Sequence, residues 1–327
     1  MLDKQLEAMM AEVQAAGVPD LCDLPPAAAR GLYRQILAAA DVPPADVEVS
    51  EHRGQVGDSA VQVRAYAPRD AQGSLPIIVY WHGGGYALGD LDGYDNVCRQ
   101  LCHDTGAIVA SAAYRLAPEH PFPAAPEDAW AALQWVAEHA RHLGGDAARL
   151  AVAGDSAGAV LATVAAIRAR DAGGPAVRFQ ALVYPAAAGG HEGDYPSRRE
   201  HADGPTLTAR TIEYFNRHCF GDAAKAPDWR GAPLLAPSLA GLPPTLLQLA
   251  THDPLRDEAK AYGEALLAAG NAVTIVEYHG LAHGYISMGG GIGAARLAQV
   301  QMAAALRQAL GEGRRRLAVS GEPCHLL

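Results

Sequence analysis

The chain has 327 residues, of which 50% are hydrophobic and 19% are charged, and its formal net charge is −10 at pH 7. A chain this long and apolar can bury a large core, whereas its acidity disfavours nucleic acid and anionic membranes as partners. No stretch has the apolar length needed to cross a bilayer or the features of a signal peptide. Five cysteines without framework spacing predict reduced thiols in a cytoplasmic protein.

The N-terminal residues 1–45 are predicted to be helical, with turn signals at Pro25-Pro26 and Pro43-Pro44. They contain too few apolar residues to form a domain alone. Residues 46–75 then alternate between apolar and polar positions, most clearly from Val61 to Tyr66. This alternation predicts the leading strands of a sheet.

A glycine-rich loop follows the apolar run 76–81, which predicts a buried strand. The loop, residues 82–86, consists of His82, Gly83, Gly84, Gly85 and Tyr86. Consecutive glycines allow backbone N–H groups to turn inward towards a ligand, as an oxyanion hole requires. A phosphate-binding loop is the competing interpretation, but no Gly-Lys-Ser or Gly-Lys-Thr follows and the G-x-G-x-x-G spacing is absent.

A serine lies at a tight turn between a predicted strand, residues 150–153, and a predicted helix, residues 159–169. The turn is Gly154-Asp155-Ser156-Ala157-Gly158. Its glycines remove side chains that would collide in so sharp a turn, and the hydroxyl lies at the positive end of the helix. The motif alone is expected by chance about 0.1 times in a chain of this composition. Its meaning therefore depends on whether the chain also supplies an acid and a base.

Two further predicted strands, residues 245–250 and 272–278, lead to an acid and a base. Asp253 follows the first and His283 follows the second. The chain order Ser, Asp, His is that of the α/β-hydrolase fold and differs from the other serine-hydrolase folds. His283 is predicted to take the proton of Ser156 and later return it to the leaving alcohol, while Asp253 orients the imidazole.

Other titratable groups lie beside Asp253 in the sequence. His252 is a rival base, but neighbours on a strand point to opposite faces, so His252 should not reach the serine if Asp253 does. Asp257 and Glu258 are expected on the following helix, facing solvent or pairing with Arg256.

Together these motifs resemble those of the hormone-sensitive-lipase family of carboxylesterases, bacterial family IV, over nearly the whole chain. The matching segments are residues 82–86, 114–119, 154–158, 253–258 and 283–285. The resemblance implies an α/β protein with the α/β-hydrolase fold, in which a mostly parallel sheet is flanked by helices and a helical cap covers the site. Alternating apolar strands and helical stretches agree with this fold class.

The resemblance also implies roles for individual residues. The triad would be Ser156, Asp253 and His283. The oxyanion would be bound by the backbone N–H groups of Gly84, Gly85 and Ala157. The loop would be structured by His82 and Gly83.

A second group of residues is expected to line the substrate pocket. Its members are Tyr86, Asp155, Tyr195, Tyr214, Phe215 and Tyr285. For each aromatic residue in this group, packing in the core is the alternative.

Residues 46–185 and 227–312 are expected to form the catalytic core, interrupted by residues 186–226 with a helix over 208–220. In family terms, residues 1–45 and 186–226 are the two parts of the cap. Residues 313–327 are expected to be a loose C-terminal tail.

The predicted activity is hydrolysis of short- to medium-chain acyl esters of small molecules through an acyl-enzyme, without a cofactor or a metal. Amide, lactone or carbamate hydrolysis on the same triad stays open, as does a non-catalytic receptor, although receptor relatives lose the histidine. The predicted strand 272–278 is expected near a sheet edge, where pairing with a second copy is favoured. A homodimer is therefore expected.

Overall fold

One eight-stranded sheet organises the part of the chain that the computed structural model describes, residues 1–69, 71–189, 193–221 and 228–311. The strands are β1 Glu48–Val56, β2 Ser59–Ala67, β3 Leu75–Trp81, β4 Ile108–Ala112, β5 Gly145–Asp155, β6 Val177–Val183, β7 Thr245–His252 and β8 Val273–Ala282. Their spatial order is β1-β2-β4-β3-β5-β6-β7-β8. β2 is antiparallel to both of its neighbours, β1 and β4. In spatial order, the strands β4, β3, β5, β6, β7 and β8 run parallel to one another. The predicted mostly parallel sheet is confirmed.

Helices cover both faces of this sheet. They are α1 Lys4–Ala15, α2 Pro26–Ala40, α3 Asp95–Thr105, α4 Ala124–Glu138, α5 Ala157–Asp171, α6 Pro196–Glu200, α7 Ala209–Cys219, α8 Arg256–Ala268 and α9 Gly293–Leu310. The helices α4, α5 and α8 pack on one face, and α3 and α9 pack on the other. None of the helices in the described ranges has both the length and the apolarity that crossing a membrane requires.

The central strand β3 shows why the sheet needs two helical layers. Successive side chains of a strand point to opposite faces. Ile77, Val79 and Trp81 belong to the core on the α5 side, whereas Ile78 and Tyr80 belong to the core on the α9 side. All five are fully buried, so the strand is apolar at consecutive positions, as expected for a parallel strand covered on both faces.

The predicted cap segments contain the expected helices. Residues 1–45 form α1 and α2, and residues 186–226 contain α6 and α7. The expected helix over 208–220 is α7, which begins after Thr208, whose hydroxyl accepts the Thr211 N–H at 3.1 Å. Residues 190–192 and 222–226 of the second segment lie outside the described residues, as does the predicted tail 313–327.

The first helix is tied to the C-terminal part of the chain. The Asp3 backbone N–H donates to the Gly280 carbonyl in β8 at 3.0 Å. The side-chain oxygen of Gln5 accepts the N–H of Gly293, where α9 begins, at 2.9 Å. Leu6 is the only fully buried residue of α1, and Met9 and Met10 pack against the same core from partly buried positions. Polar and apolar contacts therefore together hold this helix in place.

The second helix is tied to the loops near the sheet edge. Arg30 of α2 donates to the carbonyls of Ala87 and Ala117, each at 2.8 Å. The same guanidinium forms an ion pair with Glu119 at 2.6 Å. One side chain therefore fastens α2 to two segments that flank the glycine-rich loop.

Candidate active site

The predicted catalytic residues follow parallel strands and meet at one edge of the sheet. Ser156 follows β5, Asp253 follows β7, and His283 follows β8. The glycine-rich loop 82–86 follows β3, which is hydrogen-bonded to β5. The carboxyl ends of parallel strands in an α/β sheet form a common crevice where ligands bind, which brings these four segments together.

Ser156 has a backbone conformation that few non-glycine residues adopt, with φ 53° and ψ −120°. The neighbouring glycines permit it, because a Cβ atom on Gly154 would lie 2.4 Å from the Gly158 carbonyl oxygen. A Cβ atom on Gly158 would lie 2.0 Å from the carbonyl oxygen of Trp81. The Ser156 N–H donates to the Val183 carbonyl at 2.8 Å, so the turn is also fixed to β6.

A continuous hydrogen-bonded chain joins the serine, the histidine and the aspartate. His283 Nε2 lies 2.9 Å from Ser156 Oγ, and His283 Nδ1 lies 2.8 Å from Asp253 Oδ2. Asp253 is fully buried, and its other carboxylate oxygen accepts the Leu255 N–H at 2.8 Å. Because Nδ1 faces a carboxylate, it carries the proton, which leaves Nε2 free to accept the serine hydroxyl proton.

Two residues outside the motifs contact His283. The Tyr184 ring lies 4.4 Å from the imidazole, centroid to centroid, and its hydroxyl accepts the Ile286 N–H at 3.3 Å. The Thr206 hydroxyl donates to the His283 backbone carbonyl at 2.7 Å. Sequence reasoning missed both. The position of Tyr184 directly after β6 was an available signal, whereas nothing in the sequence around Thr206 indicates this contact.

The glycine-rich loop presents backbone donors to the site. A Cβ atom on Gly84 (φ 115°) would lie 2.3 Å from the Leu88 carbonyl oxygen, and one on Gly85 (φ 58°) would lie 2.2 Å from the Phe215 ring. In the described ranges, the N–H groups of Gly84, Gly85 and Ala157 donate no hydrogen bond to another residue. These groups are therefore available to bind an anionic oxygen.

His82 is enclosed within the base of this loop. Its Nδ1 lies 2.7 Å from the Gly83 carbonyl oxygen. The Tyr114 ring stacks on the imidazole at 4.4 Å, and the Tyr114 hydroxyl donates to the His82 carbonyl at 2.9 Å. Burial lowers the pKa of His82 to about 4, so the ring is neutral at neutral pH and donates from Nδ1 to the loop.

Asp155 lies beneath the loop. One carboxylate oxygen accepts the Gly83 N–H and the Tyr80 hydroxyl, both at 2.9 Å, and the other accepts the Tyr94 hydroxyl at 3.0 Å. Burial raises the pKa of Asp155 to about 6. This carboxylate, expected in the pocket, is only 2% exposed and is used to hold Gly83.

Of the aromatic residues expected in the pocket, Phe215 is the one whose ring lies against the glycine-rich loop, at Gly85. It is partly exposed. Tyr86 is buried, and its ring meets Phe220 edge-on at 5.9 Å. Tyr214 is buried beside Phe215, and its hydroxyl donates to the Leu24 carbonyl at 3.3 Å.

The other two aromatic residues pack elsewhere. Tyr195 lies at the start of α6, with the Arg198 guanidinium 5.0 Å from its ring. Tyr285 is fully buried and meets the Tyr184 ring at 5.0 Å. The Tyr285 ring therefore anchors the segment that carries His283 in the core.

The titratable neighbours of Asp253 follow the expectations in part. Asp257 pairs with Arg256 at 2.8 Å, as expected. The expectation that Glu258 faces solvent or pairs with Arg256 is wrong, because Glu258 is fully buried and forms an ion pair with Arg198. The cause is the packing of α6 against α8, which covers the first turn of α8. His252 packs against the His201 ring at 5.5 Å.

A metal site has no candidate ligands in the described ranges. No group of three or more His, Cys, Asp or Glu side chains there could hold an ion.

Comparison with known proteins gives a consistent result. A family model described as the alpha/beta hydrolase fold matches residues 78–287. Esterase LipI of Mycobacterium tuberculosis is 45% identical over 81% of this chain and 82% of its own length. Ethyl acetate hydrolase of Pseudomonas putida is 38% identical over 76% of this chain and 78% of its own length.

Solved structures extend the similarity to the whole fold. The ester hydrolase EH1AB1 from the metagenome of Lake Arreo, in complex with a bipyridine phosphonate derivative, superimposes with a TM-score of 0.90 at 36% identity. The match covers 95% of this chain and 100% of that one. The chain therefore belongs to the α/β-hydrolase family and, within it, to the hormone-sensitive-lipase group of carboxylesterases, as its motifs predict.

Proposed function

We propose that this protein is a serine carboxylesterase that hydrolyses short- to medium-chain acyl esters through an acyl-enzyme on Ser156. The observation that carries the proposal is the chain of hydrogen bonds from Ser156 through His283 to Asp253, at 2.9 Å and 2.8 Å. A serine hydroxyl is a weak nucleophile until a base takes its proton, and His283 is within reach to do so. The esterase relatives support the same reaction class.

The reaction has two halves. Ser156 Oγ attacks the ester carbonyl carbon as its proton passes to His283 Nε2, and the carbonyl oxygen becomes an oxyanion bound by the N–H groups of Gly84, Gly85 and Ala157. The bond to the alcohol oxygen then breaks, and His283 protonates that oxygen. In the second half, water gives a proton to His283 and attacks the acyl carbonyl carbon. The bond from that carbon to Ser156 Oγ then breaks, His283 returns the proton to Oγ, and the acid is released. Asp253 stabilises the imidazolium in both halves.

The preference for small acyl groups is supported by Phe215. This ring lies against Gly85, beside one of the proposed oxyanion donors, and so limits the space next to the scissile carbonyl. A relative whose name specifies ethyl acetate supports the same size class.

The cap is part of the proposal. Residues 1–45 and 186–226 would cover a core of residues 46–185 and 227–312. Each part contributes one contact beside the glycine-rich loop, Arg30 at Ala87 and Phe215 at Gly85. Both contacts support a role for the cap in shaping the site.

The test is hydrolysis of p-nitrophenyl esters of increasing acyl length by the wild type and Ser156→Ala. We expect turnover that peaks at short chains, and a fall in kcat of about 10⁴-fold or more in the variant, since the nucleophile is lost. Ser111→Ala, which changes a serine buried in β4, is the matched control and should retain activity.

A fluorophosphonate probe provides a second measurement, since it bonds covalently to an activated serine. Labelling at Ser156 in the absence of ester turnover would contradict the esterase and favour amide, lactone or carbamate hydrolysis, to be assayed next. Neither labelling nor turnover by the folded protein would favour the receptor alternative.

We also propose that the protein forms a homodimer in the cytoplasm. β8 is the last strand of the sheet, and an open edge favours pairing with a second copy. The free thiols of Cys22, Cys98, Cys102 and Cys219 suit a reducing compartment. A sedimentation mass of only 34.1 kDa at micromolar concentration would contradict the dimer, and recovery from the periplasmic or secreted fraction would contradict the location.

A further inference from the structure

The segment before α7 reaches the backbone of the proposed catalytic base. The Thr206 hydroxyl donates to the carbonyl oxygen of His283 at 2.7 Å. Thr206 belongs to the 186–226 segment, whereas His283 follows β8 in the core. This direct hydrogen bond therefore connects the proposed cap with the residue that moves the proton.

The His283 carbonyl lies at a point where the chain is not held by secondary structure. Gly284 follows in the left-handed region, with φ 85°, and a short turn, Tyr285–Ser287, comes next. In the part of the chain that the structure describes, Thr206 is the sole donor to this carbonyl. The carbonyl of the residue that carries the imidazole thus has one hydrogen-bond donor among the described residues, the hydroxyl of Thr206.

We propose that Thr206 is a positioning residue for the ester hydrolysis: its hydroxyl fixes the His283 backbone so that the imidazole bridges Asp253 and Ser156. The inference rests on the proposed function, because it matters only if His283 acts as the base. Both bridges, at 2.8 Å and 2.9 Å, must be kept while the imidazole alternately accepts and returns a proton. A shift of about 1 Å at such a group can cost about 10²-fold in rate.

The packing of the imidazole does not replace this contact. The Tyr184 ring lies at 4.4 Å and an angle of 49° to the imidazole plane, so it restricts the tilt of the ring. This contact between the two rings includes no hydrogen bond to the His283 backbone, so it does not fix the direction of the His283 carbonyl. The hydroxyl of Thr206 supplies that bond, and through it the position of the 186–226 segment is transmitted to the base.

The alternative is a purely structural role, in which the hydrogen bond of Thr206 only stabilises the packing of the segment before α7 on the core. Thr208 provides the matched control, since its hydroxyl accepts the Thr211 N–H at 3.1 Å at the start of α7 and does not contact His283. Loss of this helix cap costs about 1 kcal/mol. It should therefore affect the stability of the segment without affecting the base.

The experiment compares Thr206→Val, Thr206→Ser and Thr208→Val in steady-state hydrolysis of p-nitrophenyl acetate or butyrate, well below the Tm of each variant. We expect Thr206→Val to lower kcat by about 10-fold or more with KM within about 2-fold, because base geometry acts on the chemical step. Thr206→Ser keeps the hydroxyl and should restore kcat to within about 3-fold of the wild type. Thr208→Val should leave kcat unchanged.

The inference is overturned if Thr206→Val retains wild-type kcat, if it changes KM alone, or if Thr208→Val lowers kcat equally. Should Thr206→Val not fold by circular dichroism, Thr206→Ala replaces it with the same expected and contradicting outcomes. Failure of the proposed function is seen separately, since the wild type would then lack ester turnover or Ser156→Ala would retain it.

Discussion

Two loops lie beside Ser156, and they are held by different contacts. The glycine-rich loop is anchored from within the core, where the Asp155 carboxylate accepts the Gly83 N–H and His82 is enclosed beside Tyr114. The histidine loop, residues 283–287, is held in the core at Ile286 by Tyr184 and Gln299, but its first carbonyl accepts its hydrogen bond from Thr206 of the proposed cap. Asp155 and His82 are only 2% exposed, whereas Thr206 is partly exposed.

Because their contacts differ in burial, changes to these contacts should differ in their effects on stability and on activity. Buried polar groups that lose their partners carry a desolvation cost, so changes around the glycine-rich loop should affect stability and activity together. A part-buried contact from the proposed cap can be lost at little cost to folding. Loss of the Thr206 contact should therefore act mainly on the rate.

Among the changes that test this comparison, Gly84→Ala has the largest expected effect. The added Cβ atom would lie 2.3 Å from the Leu88 carbonyl oxygen, at φ 115°, so the loop must move and the Gly84 and Gly85 donors move with it. We expect kcat to fall by about 10²- to 10³-fold, the usual cost of losing one oxyanion donor. The measurement is kcat on a short p-nitrophenyl ester.

Gly106→Ala is the control for this change. Gly106 also has a positive φ, 67°, but its added Cβ atom would have no atom within 4 Å. It should cost about 1 to 2 kcal/mol in the free energy of unfolding and leave kcat unchanged. Equal losses of activity in the two variants would show that backbone strain alone is responsible.

The next effect concerns the pH dependence of stability, where Asp155 and His82 have opposite signs. Burial raises the pKa of Asp155 from 3.8 to about 6, so the folded state retains a proton there that the unfolded chain loses, and stability falls as pH rises through this range. Burial lowers the pKa of His82 from 6.5 to about 4, so stability falls as pH drops through that range. Each contributes up to about 3 kcal/mol.

In the wild type the two trends largely cancel, and single variants should reveal them. Relative to the wild type, Asp155→Asn should gain stability as pH rises from about 4 to about 6, whereas His82→Asn should lose stability over the same range. The measurement is urea unfolding at several pH values in this window. Parallel curves for wild type and variants would contradict the buried-charge account of the glycine-rich loop.

The smallest expected effect is that of Tyr184→Phe. This change keeps the ring against His283 and removes only a 3.3 Å hydrogen bond from the Ile286 N–H. We expect kcat within about 3-fold of the wild type and a stability loss of about 1 kcal/mol or less. A loss of kcat as large as that of Thr206→Val would mean that the hydroxyl of Tyr184 positions the base as strongly as that of Thr206 does.

The same comparison explains how much the sequence could predict. The glycine-rich loop and the serine turn have local signatures, because glycine is required at Gly84, Gly154 and Gly158 by contacts that an added Cβ would violate. Asp253 and His283 were identifiable because each follows an apolar strand, and parallel strands end at one edge. The parallel sheet followed from the same alternation of strands and helices.

Contacts between distant segments had no such signature. Thr206 resembles any loop threonine until the fold brings it to His283. The sequence around Glu258 indicates solvent exposure or a pair with Arg256, since the actual partner, Arg198 in α6, lies far away in the chain. Aromatic composition also could not distinguish a pocket wall from core packing. Phe215 lies on the glycine-rich loop, whereas Tyr285 fills the core beneath His283.

The contacts of α1 have a consequence for synthesis of the chain on the ribosome. Gln5 and Gly293 are 288 residues apart in the sequence, and Gly280 is also made near the end. At about 5 to 20 residues per second, the docking surface for α1 emerges on the order of 15 to 60 s after the helix itself. The apolar residues of α1 that pack on the core, Leu6 with the partly buried Met9 and Met10, wait for the same partners, and the polar contacts of the helix form once the last strand and helix are in place.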